Sequence, residues 1–349
     1  MPASVNPIVR EGTGSAITVV FTGGTFGMGR QPDRGVVPLG AGVPAVVLSN
    51  LGGISKIESI VWGDLPSMHL SFLNVIALAK SVRQYLASES NRGVVIVQGT
   101  DAIEETSFAF DLLLSGPKPV VVTGSIYPFD DDRYDGLDNL QGAVTCANDG
   151  QLRSYGTVVV FAGMIHAARD VVKVHPSENG AFESPHAGPI GTVSNGIVSI
   201  NRAPSSGIRL ITNRATLPIP LITAVFDSDG SEIRAAANAG VSGIVVAAAG
   251  SGQTPRAFFR ECKRAMSQGI PIVMASRAAD GRPAPVYGYD AGGIEWLQSG
   301  AISAGSLTGP KARVALALAL GAGSSDAALR AFFESWDDPP NGARASSRS

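Results

Sequence analysis

The chain has 349 residues, 44% of them apolar and 16% charged, which is enough for a large core and for two domains of ordinary size. Its net charge of −2 at pH 7 provides no electrostatic footprint for nucleic acid, and the basic tail "NGARASSRS" reads as a frayed end. No apolar run approaches the roughly 18 residues of a bilayer span, so neither nucleic acid nor a membrane is expected as a partner.

The opening stretch "MPASVNPIVREGTGSAITVVF" lacks a basic region followed by an apolar one, so no signal peptide is read. Cys146 and Cys262 form neither a CxxC pair nor a small disulfide framework. Together these observations lead us to expect a cytoplasmic protein with reduced thiols.

Short β-branched runs recur along the first half: "AITVVFTGG", "GVVIVQGTD", "PVVVTGS" and "GTVVVFAG". Runs without polar alternation suit strands covered on both faces, as in a parallel sheet. Between them lie helical patterns. "SFLNVIALAKSVRQYLAS" has apolar residues at three- and four-residue spacing, and "EETSFAFDLLLSG" opens on acids and stops at glycine. The stretch after "FTGG", with Pro32, Pro38 and Pro44 and no helical pattern before Pro44, reads as a long loop.

"NRAPSSGIRLITNRATLPIP" is rich in Pro, Ser and Asn and reads as a connection between domains. Beyond it strand and helix alternate again: "PLITAVFDSDG", "GSEIRAAANAG", "GIVVAAAGSG", "PRAFFRECKRAMSQG" and "IPIVMAS". "GPKARVALALAL" and "SDAALRAFFESW" then close the pattern as helices. The expected organisation is an α/β domain over residues 1–203, a linker over 204–220, a smaller α/β domain over 221–338 and a tail over 339–349.

The glycine-rich "TGGTFGMG" invites a phosphate-binding reading. A dinucleotide fingerprint, however, needs GxGxxG opening a helix, and a P-loop needs Gly-Lys-Ser/Thr, which the chain nowhere contains. The four histidines show no HExxH spacing and no GxSxG elbow is present, so neither a metal site nor a serine hydrolase is expected. Threonine chemistry remains. Thr25 follows the first strand, and Thr100 and Asp101 follow "VVIV". Lys173 comes after "GTVVVFAG", in "RDVVK". Parallel strands present their carboxyl ends on one edge, where these groups would converge. Each also has an ordinary reading, as a turn threonine or a solvated charge. Glu104 and Glu105 read as helix N-terminal acids, Trp62, Trp296 and Trp336 as packing anchors, and the run Asp130–Asp131–Asp132 as a solvated loop.

Taken together and in order, these segments resemble the bacterial-type L-asparaginase/glutaminase family. Its strand–TGGTI motif appears as Thr22-Gly23-Gly24-Thr25-Phe26, and its HGTDTxEET motif as Gln98-Gly99-Thr100-Asp101-Ala102-Ile103-Glu104-Glu105-Thr106. RDVxK appears as Arg169 to Lys173, while "KPVVVTGSIYP", "DGLDNLQGAV" and "LPSMHLS" resemble further family segments. The likeness runs from about Ile17 to Trp336, and several ordered motifs are far more specific than one.

The resemblance implies a two-domain α/β fold with a larger N-terminal, mainly parallel sheet domain. It implies hydrolysis of a side-chain carboxamide, L-asparagine to L-aspartate plus ammonia, with no cofactor and no metal. Thr25 would be the nucleophile, and Thr100, Lys173 and Asp101 a relay. Gly24, Gly99, Ser67, Met68 and Asp101 would bind the substrate, and Ser251 would stand where a C-terminal-domain asparagine reaches a neighbouring subunit's site. Homodimers or homotetramers are implied as well.

The sequence departs from the family pattern at four places. Val36 stands where a loop tyrosine is expected, Gln98 replaces a histidine, Tyr127 an arginine and Ser251 the asparagine. Valine has no proton to move. Two further readings therefore stand beside the first: a weakened or inactive homologue that binds an amino acid, and an amidohydrolase for another amide or lactam.

Overall fold

The computed structural model describes residues 8–10, 15–40, 42–51, 56–203 and 208–336. Its contacts divide the chain into two units, Met1–Arg209 and Leu210–Ser349. The expected tail at 339–349 and residues 204–207 of the expected linker lie outside the described residues.

In the first unit the chain forms β1 (Ile8–Arg10), β2 (Ala16–Phe21), β3 (Met28–Gln31), β4 (Gly35–Pro38), α1 (Gly42–Ser49), β5 (Ile57–Val61) and α2 (Phe72–Ala87). Next come β6 (Asn91–Val97), α3 (Ile103–Leu113), β7 (Val120–Thr123), α4 (Gly136–Asn148), β8 (Thr157–Phe161) and β9 (Met164–Ala167). The unit closes with β10 (Val172–Lys173), β11 (Phe182–Glu183), β12 (Gly191–Ser194) and β13 (Ile197–Ile200).

Nine strands make one sheet in the order β1-β5-β2-β6-β7-β8-β9-β12-β13. From β5 to β8 neighbouring strands are parallel, and both flanks are antiparallel. Every residue of β2, β7 and β8 is buried, which is why those segments show no polar alternation. Ile17, Val19, Val95, Val121 and Val158 share a core with Leu140, Ala143 and Val144 of α4 and with Val47 of α1. The alternate residues Val20, Ile96 and Val122 are equally buried on the opposite face, and α2 packs there on β6 and α3 on β8.

Local chemistry sets the helix ends. At α2 a capping box forms: Asn74 N–H donates to Ser71 Oγ at 3.3 Å, and Ser71 N–H to Asn74 Oδ1 at 2.9 Å. Glu104 and Glu105 stand in the first turn of α3, where the helix dipole favours negative charge.

The strand order places a switch point beside β2. From β2 the chain passes to β5 on one side, whereas from β6 it proceeds to β7 on the other. A crevice therefore opens outside the carboxyl ends of β2 and β6, where ligands of such sheets bind.

Two segments differ from the sequence expectation. The stretch after Thr25 is a hairpin and a helix, not a long loop. Met28 pairs with Pro38 and Arg30 with Val36, and Gly35 turns the chain at φ +68°. Pro44 fits the first turn of α1, where its missing N–H leaves no helical bond unmade. The strand "GTVVVFAG" does not lead straight to Lys173 at the same edge. It folds back through β9, whose Ala167 pairs with Val158, so the chain reaches Lys173 only after a further reversal.

The second unit contains β14 (Leu221–Thr223), α5 (Ser231–Asn238), β15 (Ile244–Ala248), α6 (Arg256–Ser267), β16 (Ile272–Ser276), α7 (Gly293–Gln298), β17 (Ile302–Ser303), α8 (Gly309–Gly321) and α9 (Asp326–Glu334). Its four strands are parallel in the order β14-β15-β16-β17. The apolar run "VALALAL" is helix α8, buried nearly all round because it packs on β15, β16 and α9. Trp296 packs on Phe259 at 4.8 Å with the rings tilted, and Trp336 meets Phe332 edge-on at 6.1 Å, so both are packing residues. Among the described residues no helix is long and apolar enough to cross a membrane.

Cys146 on α4 and Cys262 on α6 are free and fully buried. Burial, with a minor contribution from Asp149, pushes the Cys146 thiol up to about 12; burial also raises Cys262. A thiol reagent at neutral pH is expected to titrate neither cysteine in the native protein and both after denaturation. Rapid labelling of the native chain would contradict this burial.

Candidate active site

The turns leaving β2 and β6 are built from glycine so that two backbones can approach. Gly24 has φ +92°, and a Cβ on it would overlap Gly99 Cα and N. Gly23, at φ +110°, abuts the Asp64–Leu65 backbone in the same way, and Leu65 N–H donates to Thr22 O at 2.9 Å. Thr22 is buried and its hydroxyl donates to Val97 O at 3.1 Å, tying the two strand ends together.

Thr25 and Thr100 are the residues next to these touching glycines, and each begins a short 3₁₀ turn. Thr25 is half-buried, and among the described residues its hydroxyl has no hydrogen-bond partner. Thr100 is buried. Lys173 Nζ donates to Thr100 Oγ1 at 2.9 Å and to Asp101 Oδ1 at 2.6 Å. Asp101 is 67% exposed and Lys173 only 13%, so the ammonium is sheltered while the carboxylate meets solvent.

Neighbouring packing holds Lys173 in place. It lies on β10, paired with Phe182 of β11, whose ring packs on Phe161 at 4.9 Å. The turn before it is fixed by Asp170, which accepts from Arg202 Nη2 at 2.6 Å and lies 3.3 Å from Arg169 Nε.

Ser67 is buried against Gly99, and its Oγ accepts from Ala102 N–H at 3.3 Å. Its hydroxyl thus supports the Thr100–Ala102 turn in this structure. Met68 beside it is 65% exposed. Gln98 is fully buried and faces helix α3, with its Nε2 2.8 Å from Thr106 Oγ1. A neutral amide suits that position, because an unpaired charge there would carry a large desolvation cost. Ser251 belongs to the second unit. It lies in the turn after β15, 3.3 Å from Gln253 Nε2, and its carbonyl accepts from Ala284 N–H at 2.9 Å.

Several residues that matter locally were missed or misread from the sequence. The Asp135 carboxylate takes Ser125 Oγ at 2.7 Å and the Ile126 and Tyr127 N–H groups at 3.0 Å each, which fixes the loop leaving β7. Asn139, one turn later, donates to Gly124 O at 3.1 Å and accepts from Ala162 N–H at 2.9 Å. The only sequence signal was the Asp-x-x-x-Asn spacing inside "DGLDN". The acidic run is a loop with Asp130 and Asp132 exposed, as expected, but its middle residue Asp131 is sheltered. Asp130 and Asp131 both bind Arg30 of the β3–β4 hairpin, because a loop from the neighbouring part of the sheet brings them against it.

The fold and site define a two-domain α/β protein with a threonine-rich crevice at the switch point of its larger sheet. Family models match on both units, "Asparaginase, N-terminal" over residues 16–206 and "Glutaminase/Asparaginase C-terminal domain" over residues 219–333. The chain belongs to the asparaginase/glutaminase family of amidohydrolases. It is 33% identical over 324 residues to a probable L-asparaginase of Deinococcus radiodurans, covering 91% of this chain and 96% of that one. It is 31% identical to an L-asparaginase of Bacillus licheniformis, covering 87% and 95%. A crystal structure of a probable cytoplasmic L-asparaginase from Campylobacter jejuni superposes with a TM-score of 0.79 at 27% identity, covering 92% of this chain and 99% of that one.

Gly24→Ala adds a Cβ where none fits and forces an unfavourable φ, so a stability loss on the order of 3 kcal/mol is expected. Urea denaturation with an unchanged m-value measures it. A loss below about 0.5 kcal/mol, typical of innocuous surface changes, would show that the two turns have room to part.

Proposed function

We propose that the chain hydrolyses the side-chain carboxamide of a small amino acid, L-asparagine first, giving the carboxylate and ammonia. The observation that carries this reading is the double contact of Lys173 Nζ with Thr100 Oγ1 and Asp101 Oδ1, on the turn that abuts the turn of Thr25. The names of the relatives and the unbroken order of the family motifs support the substrate class.

In this mechanism Thr25 Oγ attacks the amide carbon. The bond to nitrogen breaks, the nitrogen takes up the threonine proton and leaves as ammonia, and an ester to Thr25 remains. Water then attacks the ester carbon under general-base assistance from Thr100, the bond to Thr25 Oγ breaks, and Oγ regains a proton as the acid leaves. In this step Lys173 acts in its neutral form: Nζ, 2.9 Å from Thr100 Oγ1, takes the proton that Thr100 passes on from the water, and Asp101 balances the charge it then carries. Backbone N–H groups of the Gly24 and Gly99 turns stabilise the oxyanion, which they can approach because no side chain intervenes. Ser67 and Met68 lie beside this crevice as substrate contacts, and Asp101 also meets the substrate ammonium.

We extend the proposal to a cytoplasmic homo-oligomer, dimer or tetramer, in which Ser251 of one subunit approaches the substrate of another. The description of the Campylobacter jejuni structure as cytoplasmic supports the location.

One observation favours a second reading. Val36 is 45% exposed on the hairpin that follows Thr25, and it offers no hydroxyl there. An amino-acid-binding protein without turnover, or an amidohydrolase for another amide or lactam, would be compatible with that surface.

Thr25→Ala, Thr100→Val and Lys173→Met are each expected to lower ammonia release by on the order of a thousandfold or more, with the melting temperature little changed. Near-full activity in any of them removes that residue from the mechanism. A panel of L-Asn, L-Gln, D-Asn and small amides tests the substrate. Thermal stabilisation by an amino acid with no ammonia released from any member would favour the binding protein instead.

A further inference from the structure

We propose that the segment Phe129–Tyr134 is a latch that holds the β3–β4 hairpin and fixes the backbone carrying Thr25, with Tyr134 and Asp131 as positioning residues. Its consequence for turnover rests on the amidohydrolase reading above. The latch itself is a property of the fold.

The segment grips the start of the hairpin at alternate residues. Phe26 O accepts from Tyr134 Oη at 3.1 Å, Met28 O accepts from Phe129 N–H at 2.8 Å, and Arg30 N–H donates to Asp130 Oδ2 at 2.7 Å. Along an extended strand alternate backbone groups point to the same edge, so residues 28 and 30 turn these groups away from β4 and toward the latch. The edge of β3 that β4 leaves unpaired is thereby satisfied.

Side chains add an ionic layer and an apolar one. Arg30 Nη2 lies 2.7 Å from Asp131 Oδ2, and Arg133 Nε lies 3.0 Å from Asp131 Oδ1. Asp131 is thus shared between two guanidiniums, and its side chain is only 9% exposed. Inside this layer Phe26 is buried between Phe21, at 5.6 Å, and Tyr134, at 5.9 Å, while Phe129 meets Tyr134 edge-on at 5.4 Å. The base of the latch is itself anchored by the Asp135 carboxylate, so the segment supplies a fixed wall.

The link to Thr25 is direct. Thr25 precedes Phe26 in the chain, and its carbonyl accepts from Met28 N–H to close the 3₁₀ turn. Two latch bonds, at Phe26 O and Met28 O, therefore act within three residues of the reacting hydroxyl. Tyr134 acts as a fixed donor and not as a proton carrier. Its hydroxyl proton is committed to Phe26 O, and burial raises its phenol well above the ordinary tyrosine range.

Tyr134→Phe keeps the ring packing and deletes one hydrogen bond, while Asp131→Ala deletes the ionic layer. Arg30 and Arg34 lie in the hairpin, so limited trypsin digestion reads hairpin release without reference to activity. Cleavage there is expected to be roughly five- to tenfold faster in each variant, the opening that loss of about one hydrogen bond would permit. With L-asparagine, or whichever amide the panel identifies, kcat is expected to fall roughly ten- to a hundredfold while KM stays within about threefold, as for a misplaced nucleophile.

Digestion at the wild-type rate in both variants overturns the latch. Faster digestion with unchanged kcat overturns the positioning role, and a rise in KM alone does the same. If the wild type releases ammonia from no amide, the functional reading fails while the digestion still decides the latch. Should Asp131→Ala not fold, Arg30→Gln removes the same ion pair and leaves Arg34 as the cleavage site.

Discussion

The turns that leave β2 and β6 touch through the backbones of Gly24 and Gly99, with no side chain between them. Adjacent parallel strands ordinarily diverge into separate loops. Here the Thr22 hydroxyl and N–H both bond to Val97 O, holding the strand ends together until the glycines meet. Thr25 and Thr100 are then one residue from the contact, on neighbouring turns of a sheet whose strand order already opens a crevice there. Lys173 and Ser67 are disposed around this contact, Ser67 packing on Gly99 and Lys173 bridging Thr100 to Asp101. A larger residue at Gly24 would push the two turns apart, whereas one at Gly99 would crowd Ser67.

Much of this was legible in the residues. Unbroken β-branched runs mark β2, β6, β7 and β8 because those strands are covered on both faces, and the acids and glycine around α3 mark its ends. The adjacency of Thr25 and Thr100 followed from strands that share one carboxyl edge. The route to Lys173 did not. Residues Met164–Ala167 are apolar enough for a further strand, but periodicity does not reveal that a strand runs antiparallel to its predecessor. Proximity to Thr100 is restored only by the later reversal into β10, which packs on α3.

Misreadings of polar residues share one cause. A charge run or a buried amide is interpreted from local sequence, whereas its role is set by what another segment brings to it. Asp131 looks solvated until Arg30, a hundred positions away, lies against it. Gln98 stands in the sequence only as a replacement for a histidine, and its amide is spent on Thr106 of the following helix. Asp135, at the start of α4, makes no side-chain cap and instead gathers the Ser125–Tyr127 loop. In each case the group is satisfied by hydrogen bonds, as buried polar groups must be.

The position of Val36 constrains how protons can move in the proposed reaction. Valine neither donates nor accepts, so no proton of Thr25 passes to that part of the hairpin. Tyr134 lies close by through Phe26, but its hydroxyl is held by a carbonyl and its burial disfavours the phenolate. Among the described residues the charged pair hydrogen-bonded beside the glycine contact is Lys173–Asp101, with Thr100 Oγ1 on the same Nζ. In the proposed reaction the Thr25 proton therefore goes to the departing amide nitrogen of the substrate. Precise placement of the Thr25 hydroxyl, supplied by the latch through Phe26 and Met28, would in that case do part of the work that a dedicated hydroxyl on the hairpin would otherwise perform.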